Sequence, residues 1–284
     1  MIEKKNILGV GITNASQNEI LEYITKSLEY HYKKYFIVTP NPEFLVFANK
    51  NPKFKDILNN AELALADGIG VMLAGKITGK PLKERMTGID LLESLCKEVA
   101  KKPITVGFLG GSVGVAEKTA ECLQLKYPGL KVNFVGKEWP EGHFGRLPHV
   151  ADDARLQNSE NQPVNSVSLS KSQLQSGLKL TFNSSASGQA PSINSIDILF
   201  VAFGAPKQEI WISENLDKIP VKIAIGVGGA FDYVSGRVKR APLWVQKIGL
   251  EWLYRLIIQP WRIKRQFYLL KFIWLVLKEK LSKN

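Results

Sequence analysis

Short apolar runs alternate with amphipathic segments along most of the chain. A short apolar run bounded by turn residues predicts a buried strand, and apolar residues at helical spacing predict a helix. Strands are predicted at NILGVGI, YFIVTP, ELALAD, ITVGFLGG, LKVNFVG, IDILFVAFG and KIAIGVGG. Helices are predicted over 17–30, near 69–75 and 88–101, and from Glu43, Gly114 and Pro206. This alternation predicts an α/β fold, with a Rossmann-like, largely parallel sheet and helices on both of its faces.

The periodicity disappears between Arg155 and Ser195, where Ser, Asn, Gln and Gly dominate. Such a composition buries too little apolar surface to offset the entropy that is lost on ordering. We therefore expect a long, mobile insertion at about 155–195, with a partly ordered hairpin around LKLTF as the alternative.

After Gly236 the character of the chain changes again. Apolar residues recur at near-helical spacing, at Leu243, Ile248, Trp252 and Leu256, and Pro260 should begin or kink a second helix. The apolar run from Phe267 to Leu277 is too short to span a bilayer. We predict an α/β domain over 1–236 and a C-terminal helical appendage over 237–284.

The formal net charge of +12 is concentrated in this appendage. Residues 237–284 contain twelve Lys or Arg against Glu251 and Glu279, and four of the six tryptophans. Basic helices with aromatic residues suit the interface of an anionic membrane, and a helical pair packed on the sheet is the alternative. Nucleic-acid binding would explain the charge but not the Trp-rich apolar content. We therefore expect an anionic membrane surface as a partner, and no nucleic acid.

The remaining composition gives no sign of a disulfide or a metal. The two cysteines lack CxxC spacing and the histidines lack metal-ligand spacing; these residues are Cys96, Cys122, His31, His143 and His149. The first residues do not form a signal peptide. The sequence contains no D-x-D pair, the usual metal clamp of enzymes that use sugar nucleotides. An enzyme of that kind with this sequence would have to stabilise the diphosphate with cationic side chains, such as Arg85 and the arginines of the appendage. We expect a cytoplasmic protein that uses neither a metal nor a cofactor.

Polar residues follow two of the predicted strands. Thr39 and Asn41 lie in TPNPEF, where two prolines fix the backbone, and Asp67 ends ELALAD. Because the carboxyl ends of parallel strands share one edge, these side chains could face one crevice, the usual ligand position in such sheets. The alternatives are a rigid turn for TPNPEF and a helix N-cap for Asp67.

Glycine-rich or polar loops follow other strands. Gly110 and Gly111 lie in GFLGGSVGVAEK, at a strand-to-helix turn whose N–H groups and helix dipole could receive a phosphate. FGAPKQEIW contributes Gln208 at a helix start, and GVGGAFDYVSGRVKRAP contributes Gly228, Gly229 and Asp232. Plain tight turns have the same composition, so the pattern alone leaves both interpretations open.

Together these stretches resemble the WecG/TagA/CpsF glycosyltransferases of bacterial cell-envelope synthesis. The similar blocks, in the order of the family, are TPNPEFLVFANKN, ADGIGV, ERMTGIDL, GFLGG, LFVAFGAPKQEIW, GVGGAFDYVSGRVKRAP and EWLYRLIIQPWRIKRQ; about 145–195 is not covered. The resemblance implies an inverting enzyme, peripheral on the inner face of the plasma membrane. It would transfer N-acetylmannosamine, its uronic acid or a related sugar from a UDP-sugar donor to a polyprenyl-diphosphate-linked acceptor, in teichoic acid, exopolysaccharide or antigen synthesis.

The resemblance also implies roles for individual residues. Asp67 matches the proposed general base of the family, and Asp232 matches a nucleotide contact. The pocket residues of the family are matched by Thr39, Asn41, Arg85 and Gln208. We expect the nucleotide to be held by the glycine loops, at Gly110, Gly111, Gly228 and Gly229. An appendage that the family links to membrane association and closure over the diphosphate is matched by Arg255, Arg262 and Arg265.

The chain departs from the family after the LKVNFVG strand. The family usually has Gly-Tyr-Phe and a short acidic helix, where this chain has Gly142, His143 and Phe144 and then the insertion. If the Tyr helps to hold the nucleotide, His143 changes that contact. The alternative is therefore a catalytically inactive, membrane-recruited nucleotide-binding protein that uses the insertion to hold a partner. A homo-oligomer is compatible with the sequence, which does not decide the oligomeric state.

Overall fold

The computed structural model of the chain describes residues 2–30, 33–139 and 195–282, with the side chains of 262, 264 and 265 excepted. Nearly all of the insertion expected at about 155–195 lies outside the described residues, as do the three histidines.

A sheet of six parallel strands forms the centre of the protein. Two further strands form a separate hairpin. In chain order, the strands of the described residues are β1 (Lys4–Ile7) and β2 (Val10–Thr13) of the hairpin, and then β3 (Tyr35–Val38), β4 (Leu63–Ala64), β5 (Thr105–Gly110), β6 (Lys131–Gly136), β7 (Ile196–Ala202) and β8 (Val221–Gly226) of the large sheet. The large sheet has the order β4-β3-β8-β7-β5-β6. The inner strands β7 and β8 are almost wholly apolar and buried, as is typical of a parallel sheet that is covered on both faces.

Helices cover both faces of this sheet. They are α1 (Gln17–Tyr30), α2 (Pro42–Lys50), α3 (Pro52–Asn60), α4 (Ile69–Ile77), α5 (Gly88–Val99), α6 (Val115–Lys126), α7 (Lys207–Asn215), α8 (Ala230–Val234), α9 (Leu243–Lys247), α10 (Glu251–Ile258) and α11 (Gln266–Leu281). The core cluster on one face contains residues of α1, α5, α6 and α8. The cluster on the other face contains residues of α2, α3, α4 and α11. The predicted α/β class, with helices on both faces, is therefore confirmed.

The prediction of one strand at NILGVGI is wrong. Residues 4–13 form an antiparallel hairpin, with Lys4 opposite Thr13 and Ile7 opposite Val10, and this hairpin is separate from the large sheet. Leu8 and Gly9 turn the chain with positive φ angles of 51° and 83°. The apolar run hides the turn because residues on both sides of it are buried in the same cluster.

The C-terminal segment, residues 237–282, is also divided differently from the prediction. A helix predicted across Leu243 to Leu256 is interrupted at Gly249, which has a φ of 78° and separates α9 from α10. A Cβ on Gly249 would lie 2.8 Å from the Cβ of Ile69, so this bend is pressed against the start of α4. Pro260 begins a 3-10 turn over Pro260–Arg265 that leads into α11.

The last helix of the C-terminal segment belongs to the core. Phe272, Leu275 and Val276 of α11 are buried in the cluster that also holds residues of α2 and α4. The Glu279 carboxylate accepts a hydrogen bond from the Leu8 N–H at 3.0 Å and pairs with Lys80 at 3.3 Å. These contacts fix α11 to the hairpin and to the loop after α4.

Close packing at the start of α5 gives a testable consequence. A Cβ on Gly88 would lie 2.8 Å from the carbonyl oxygen of Val227, which is backbone and cannot swing away as a side chain could. Gly88→Ala should therefore lower the free energy of unfolding by about 1–3 kcal/mol, as overpacking does elsewhere. Urea unfolding would measure it. Gly11→Ala is the matched control, since its Cβ would meet Lys4 Cδ at an ordinary 3.4 Å; equal stability of the two variants would contradict the packing argument.

Candidate active site

Three strand ends are tied together at the carboxyl edge of the sheet. The Asp67 N–H, just after β4, donates to the carbonyl of Pro40, just after β3, at 2.9 Å. The Thr39 hydroxyl donates to the carbonyl of Gly226, at the end of β8, at 3.1 Å. Thr39, Asp67 and Gly226 therefore lie along neighbouring strand ends, as the parallel-sheet pattern predicts.

Asp67 is not a helix cap. α4 begins at Ile69, Gly68 occupies the capping position, and no side chain caps this helix. Among the described residues, none hydrogen-bonds to the Asp67 carboxylate. The side chain is partly buried, so its carboxylate is held at the edge without a structural hydrogen bond to explain it.

Burial raises the pKa of Asp67 to about 7. The negative charges of Glu251 and Asp90 raise this pKa as well, whereas the positive charges of Arg85 and Arg240 lower it. A carboxyl group whose pKa lies near the working pH is deprotonated often enough to act and basic enough to accept a proton. Asp67 thus has the electrostatic properties of a general base.

The charged groups around Asp67 come from four parts of the chain. Arg240 Nη2 pairs with Asp90 of α5 at 2.6 Å, and Arg240 Nε pairs with Glu251 of α10 at 2.9 Å. Arg85, in the loop between α4 and α5, donates to the carbonyl of Gln246 in α9. The C-terminal segment is therefore joined to the loops beside Asp67 by charged hydrogen bonds.

The residues after β7 and β8 form a second group. The Gln208 amide donates to Glu209 Oε1 at 2.6 Å and accepts from the Gly228 N–H at 3.0 Å. A Cβ on Gly226 would lie 2.9 Å from both Gln208 Nε2 and Glu209 Oε1, so a larger residue at this strand end would displace these two side chains. Gln208 and Glu209 are 1% and 0% exposed. The Gln208 side chain therefore fixes the shape of the loop after β8.

The predicted nucleotide residues lie at two strand ends. Gly110 and Gly111 have φ angles of 105° and 80°, and the Gly111 N–H donates to the Ala202 carbonyl at 3.0 Å. This donor is already used between β5 and β7. Asp232, in α8, lies 3.8 Å from Arg237 as an ion pair. Nucleotide binding by these residues stays a prediction.

The predicted diphosphate residue Arg255 lies over the loop after β8. Its Nη2 atom is 3.3 Å from the place where a Cβ on Gly229 would be. Its guanidinium also stands 5.0 Å from the centre of the Tyr233 ring. The geometry brings Arg255 to Gly229; the side chains of Arg262 and Arg265 lie outside the described residues.

Asn41 has a structural role in the fold. Its side-chain oxygen accepts hydrogen bonds from the N–H groups of Glu43 and Phe44 and so caps α2. This agrees with the alternative of a turn before a helix, and a role in substrate binding stays a prediction for Asn41.

The C-terminal segment carries an exposed apolar surface. Its large side chains that are more than half exposed are Leu243, Trp244, Ile248, Ile257, Trp261, Ile263, Phe267, Leu270, Trp274 and Leu281. Single exposed apolar residues are ordinary on proteins, but so many on one short segment mark an interaction surface. In the described part of the chain, no helix is long and apolar enough to cross a membrane.

Sequence reasoning missed the ion pairs beside Asp67. Asp90 has the position and spacing of a helix-capping partner for Thr87, and it does accept a hydrogen bond from that hydroxyl at 2.6 Å. Arg240 is hidden among the many cations of the C-terminal segment. Glu251 offered the one usable signal, because it is one of two acidic residues in a strongly basic stretch.

The fold and this edge define an α/β enzyme whose candidate active site combines parallel strand ends with a docked C-terminal segment. The family model described as "Glycosyl transferase WecG/TagA/CpsF family" matches residues 5–161 and 187–284. The chain belongs to this family of glycosyltransferases, and the resemblance found in the sequence is confirmed.

Three relatives share one name, N-acetylglucosaminyldiphosphoundecaprenol N-acetyl-beta-D-mannosaminyltransferase. The protein from Bacillus spizizenii is 32% identical over 86% of this chain and 79% of its own length. The protein from Bacillus subtilis is 28% identical over 100% of this chain and 94% of its own length. The protein from Staphylococcus aureus is 28% identical over 92% of this chain and 87% of its own length. The likeness therefore covers between 79% and 94% of the length of each relative.

Glu209 should make the stability of the protein depend on pH. Burial raises the pKa of Glu209 to about 8 from an ordinary value of 4.5, and its Oε2 has no hydrogen-bond partner. Between these values the folded state keeps a proton that the unfolded state has lost. The contribution of Glu209 to the free energy of unfolding is therefore largest below about pH 4.5 and falls as the pH rises toward about 8, by at most about 1.4 kcal/mol per pH unit.

Glu209→Gln removes this titration. We expect its stability relative to the native chain to improve steadily from pH 5 to pH 8, as measured by chemical unfolding at each pH. Glu214→Gln, an exposed change on the same helix α7, controls for the loss of one carboxylate. A difference between native and Glu209→Gln protein that is constant across this window would contradict the prediction.

Proposed function

We propose that this glycosyltransferase moves N-acetylmannosamine from a UDP-sugar to a polyprenyl-diphosphate-linked N-acetylglucosamine acceptor, with inversion at the anomeric carbon. The name shared by the three relatives supports the sugar and the acceptor. The observation that carries the proposal is Asp67, a carboxylate without a hydrogen bond among the described residues, with a pKa of about 7, at the carboxyl edge of the sheet.

Asp67 acts as the general base in this proposal. The acceptor hydroxyl oxygen attacks the anomeric carbon from the face opposite the UDP, so a C–O bond forms as the bond to the UDP oxygen breaks. UDP leaves with the electron pair of that bond, and the hydroxyl proton goes to the Asp67 carboxylate. A positioned base of this kind contributes about 10²- to 10⁴-fold to a rate.

The cationic side chains stabilise the departing diphosphate. Arg255 is the best supported, because its guanidinium lies over the loop that holds Gly228 and Gly229. Charge-assisted hydrogen bonds from guanidinium groups are suited to phosphate oxygens. We propose the same task for Arg262 and Arg265, and substrate contacts for Thr39, Asn41, Arg85 and Gln208. Gly110, Gly111 and Asp232 complete the proposed nucleotide site.

The acceptor of this proposal is a lipid, and the C-terminal segment suits a membrane surface. Its exposed Trp, Phe, Ile and Leu side chains accompany a strongly positive charge. Aromatic rings favour the headgroup level, and cations are attracted to anionic lipids. We propose peripheral attachment to the cytoplasmic face of the membrane, which would bring the lipid-linked acceptor to Asp67.

Asp67→Asn tests the base. The variant should transfer sugar about 10²- to 10⁴-fold more slowly, because an amide cannot take the proton. Native activity should fall about tenfold per pH unit below about pH 7, as Asp67 becomes protonated. The assay is UDP release from a panel of UDP-sugars, with and without a short-chain polyprenyl-diphospho-N-acetylglucosamine acceptor.

Asp217→Asn is the control, since Asp217 is exposed. Full activity of Asp67→Asn would remove Asp67 from the mechanism. Tight UDP binding by the native chain without release in the presence of acceptor would instead favour an inactive nucleotide-binding protein.

Trp274→Ala tests the membrane surface. Trp274 is 57% exposed, so its loss should weaken flotation with vesicles of anionic phospholipid without disturbing the core. Leu125→Ala is the matched control, because Leu125 is 72% exposed but lies on α6, outside the C-terminal segment. If both variants float as the native protein does, Trp274 has no part in membrane attachment.

A further inference from the structure

Arg240 joins two elements that are far apart in sequence. Its guanidinium lies between Asp90 of α5 and Glu251 of α10, with distances of 2.6 and 2.9 Å to the two carboxylates. The three side chains are about a fifth exposed, at 21%, 27% and 17% for Arg240, Asp90 and Glu251. The second oxygen of Asp90 accepts from the Thr87 hydroxyl at 2.6 Å, which fixes that carboxylate from the other side.

The bend before α10 is held against the residues that follow Asp67. Gly249 approaches Ile69 so closely that a Cβ would have to lie 2.8 Å from the Ile69 side chain. Arg85 donates to the carbonyl of Gln246 from the opposite loop. Glu251, two residues after this bend, is therefore placed by contacts on both sides.

We propose that Arg240 and Glu251 are positioning residues for catalysis: the contacts of Gly249 and Gln246 and the ion pairs of Arg240 hold these two opposite charges in electrostatic range of Asp67. This inference rests on the proposed function, in which Asp67 is the base. The C-terminal segment then does more than meet the membrane, because its docking supplies part of the charge that sets the protonation of Asp67.

The charges facing Asp67 predict opposite effects for the two partners of one ion pair. They are Glu251 from α10, Asp90 from α5, Arg85 from the loop after α4, and Arg240 from the loop after α8. Removing the negative charge of Glu251 should lower the pKa of Asp67, and removing the positive charge of Arg240 should raise it. If the pair only held the fold together, breaking it from either side would have the same effect.

The experiment measures the Asp67 pKa directly. NMR titration of aspartate γ-carboxyl carbons, with the Asp67 signal assigned by its absence from Asp67→Asn, gives the pKa without any assumption about catalysis. We expect Glu251→Gln to lower it and Arg240→Gln to raise it, each by about 1 pH unit. Arg240→Lys, which keeps the charge, should leave it nearer to the native value.

Glu279→Gln is the matched control. Glu279 also fixes the C-terminal segment, through Leu8 and Lys80, but the largest charge effects on Asp67 come from other residues. This variant should leave the Asp67 titration unchanged, and thermal melting would check that all variants are folded. Opposite shifts in Glu251→Gln and Arg240→Gln support the proposal. Shifts in the same direction, or no shift in either, overturn it.

The activity profile separates this inference from the proposed function. The acidic limb of UDP release should move with the NMR titration, to lower pH in Glu251→Gln and to higher pH in Arg240→Gln. Opposite NMR shifts with an unmoved activity limb would uphold the electrostatic effect and reject Asp67 as the base. An unchanged titration in a protein that still requires Asp67 would reject the positioning role alone.

Discussion

All six strands of the large sheet run in one direction, and every feature of the candidate site depends on that constraint. Parallel strands need a crossover after each strand, so the loops that follow them gather at the same edge. The hydrogen bonds between Asp67 and Pro40 and between Thr39 and Gly226 join three of these loops. The sheet itself is held by burial on both faces, which leaves the edge free to carry polar side chains.

The pattern of apolar residues was sufficient for the large sheet and insufficient where a turn lies inside an apolar run. From YFIVTP onward the predicted strands all exist, because each is a short buried run bounded by Gly, Pro or polar residues. NILGVGI failed because both arms of its hairpin bury apolar side chains in one cluster. α3 was not predicted at all; it follows α2 after the single residue Asn51, which leaves no loop to reveal the boundary.

The candidate site, too, could be predicted from the sequence only in part. Asp67 could be singled out from its place at the end of an apolar run, and the family resemblance gave it a role. Its surroundings could not be predicted, because Asp90 and Arg240 are separated by 150 residues and meet only when the C-terminal segment docks. Local patterns assign Asp90 to a helix start and Arg240 to a basic tail, and neither assignment indicates an ion pair.

The hydrogen bond between Leu8 and Glu279 joins residues 271 positions apart. Phe272, Leu275 and Val276 fill the same cluster as Ile7, Val10 and Ile12. On the ribosome, α2, α3 and α4 emerge well before α11 and can begin to cover the hairpin, but the cluster is complete only when α11 has emerged. Contacts of such long sequence separation slow folding and leave apolar surface open to aggregation. The surface of α2 and α4 that α11 covers therefore stays open until the last helix has been made, and it is the part of this core that a chaperone could protect for longest.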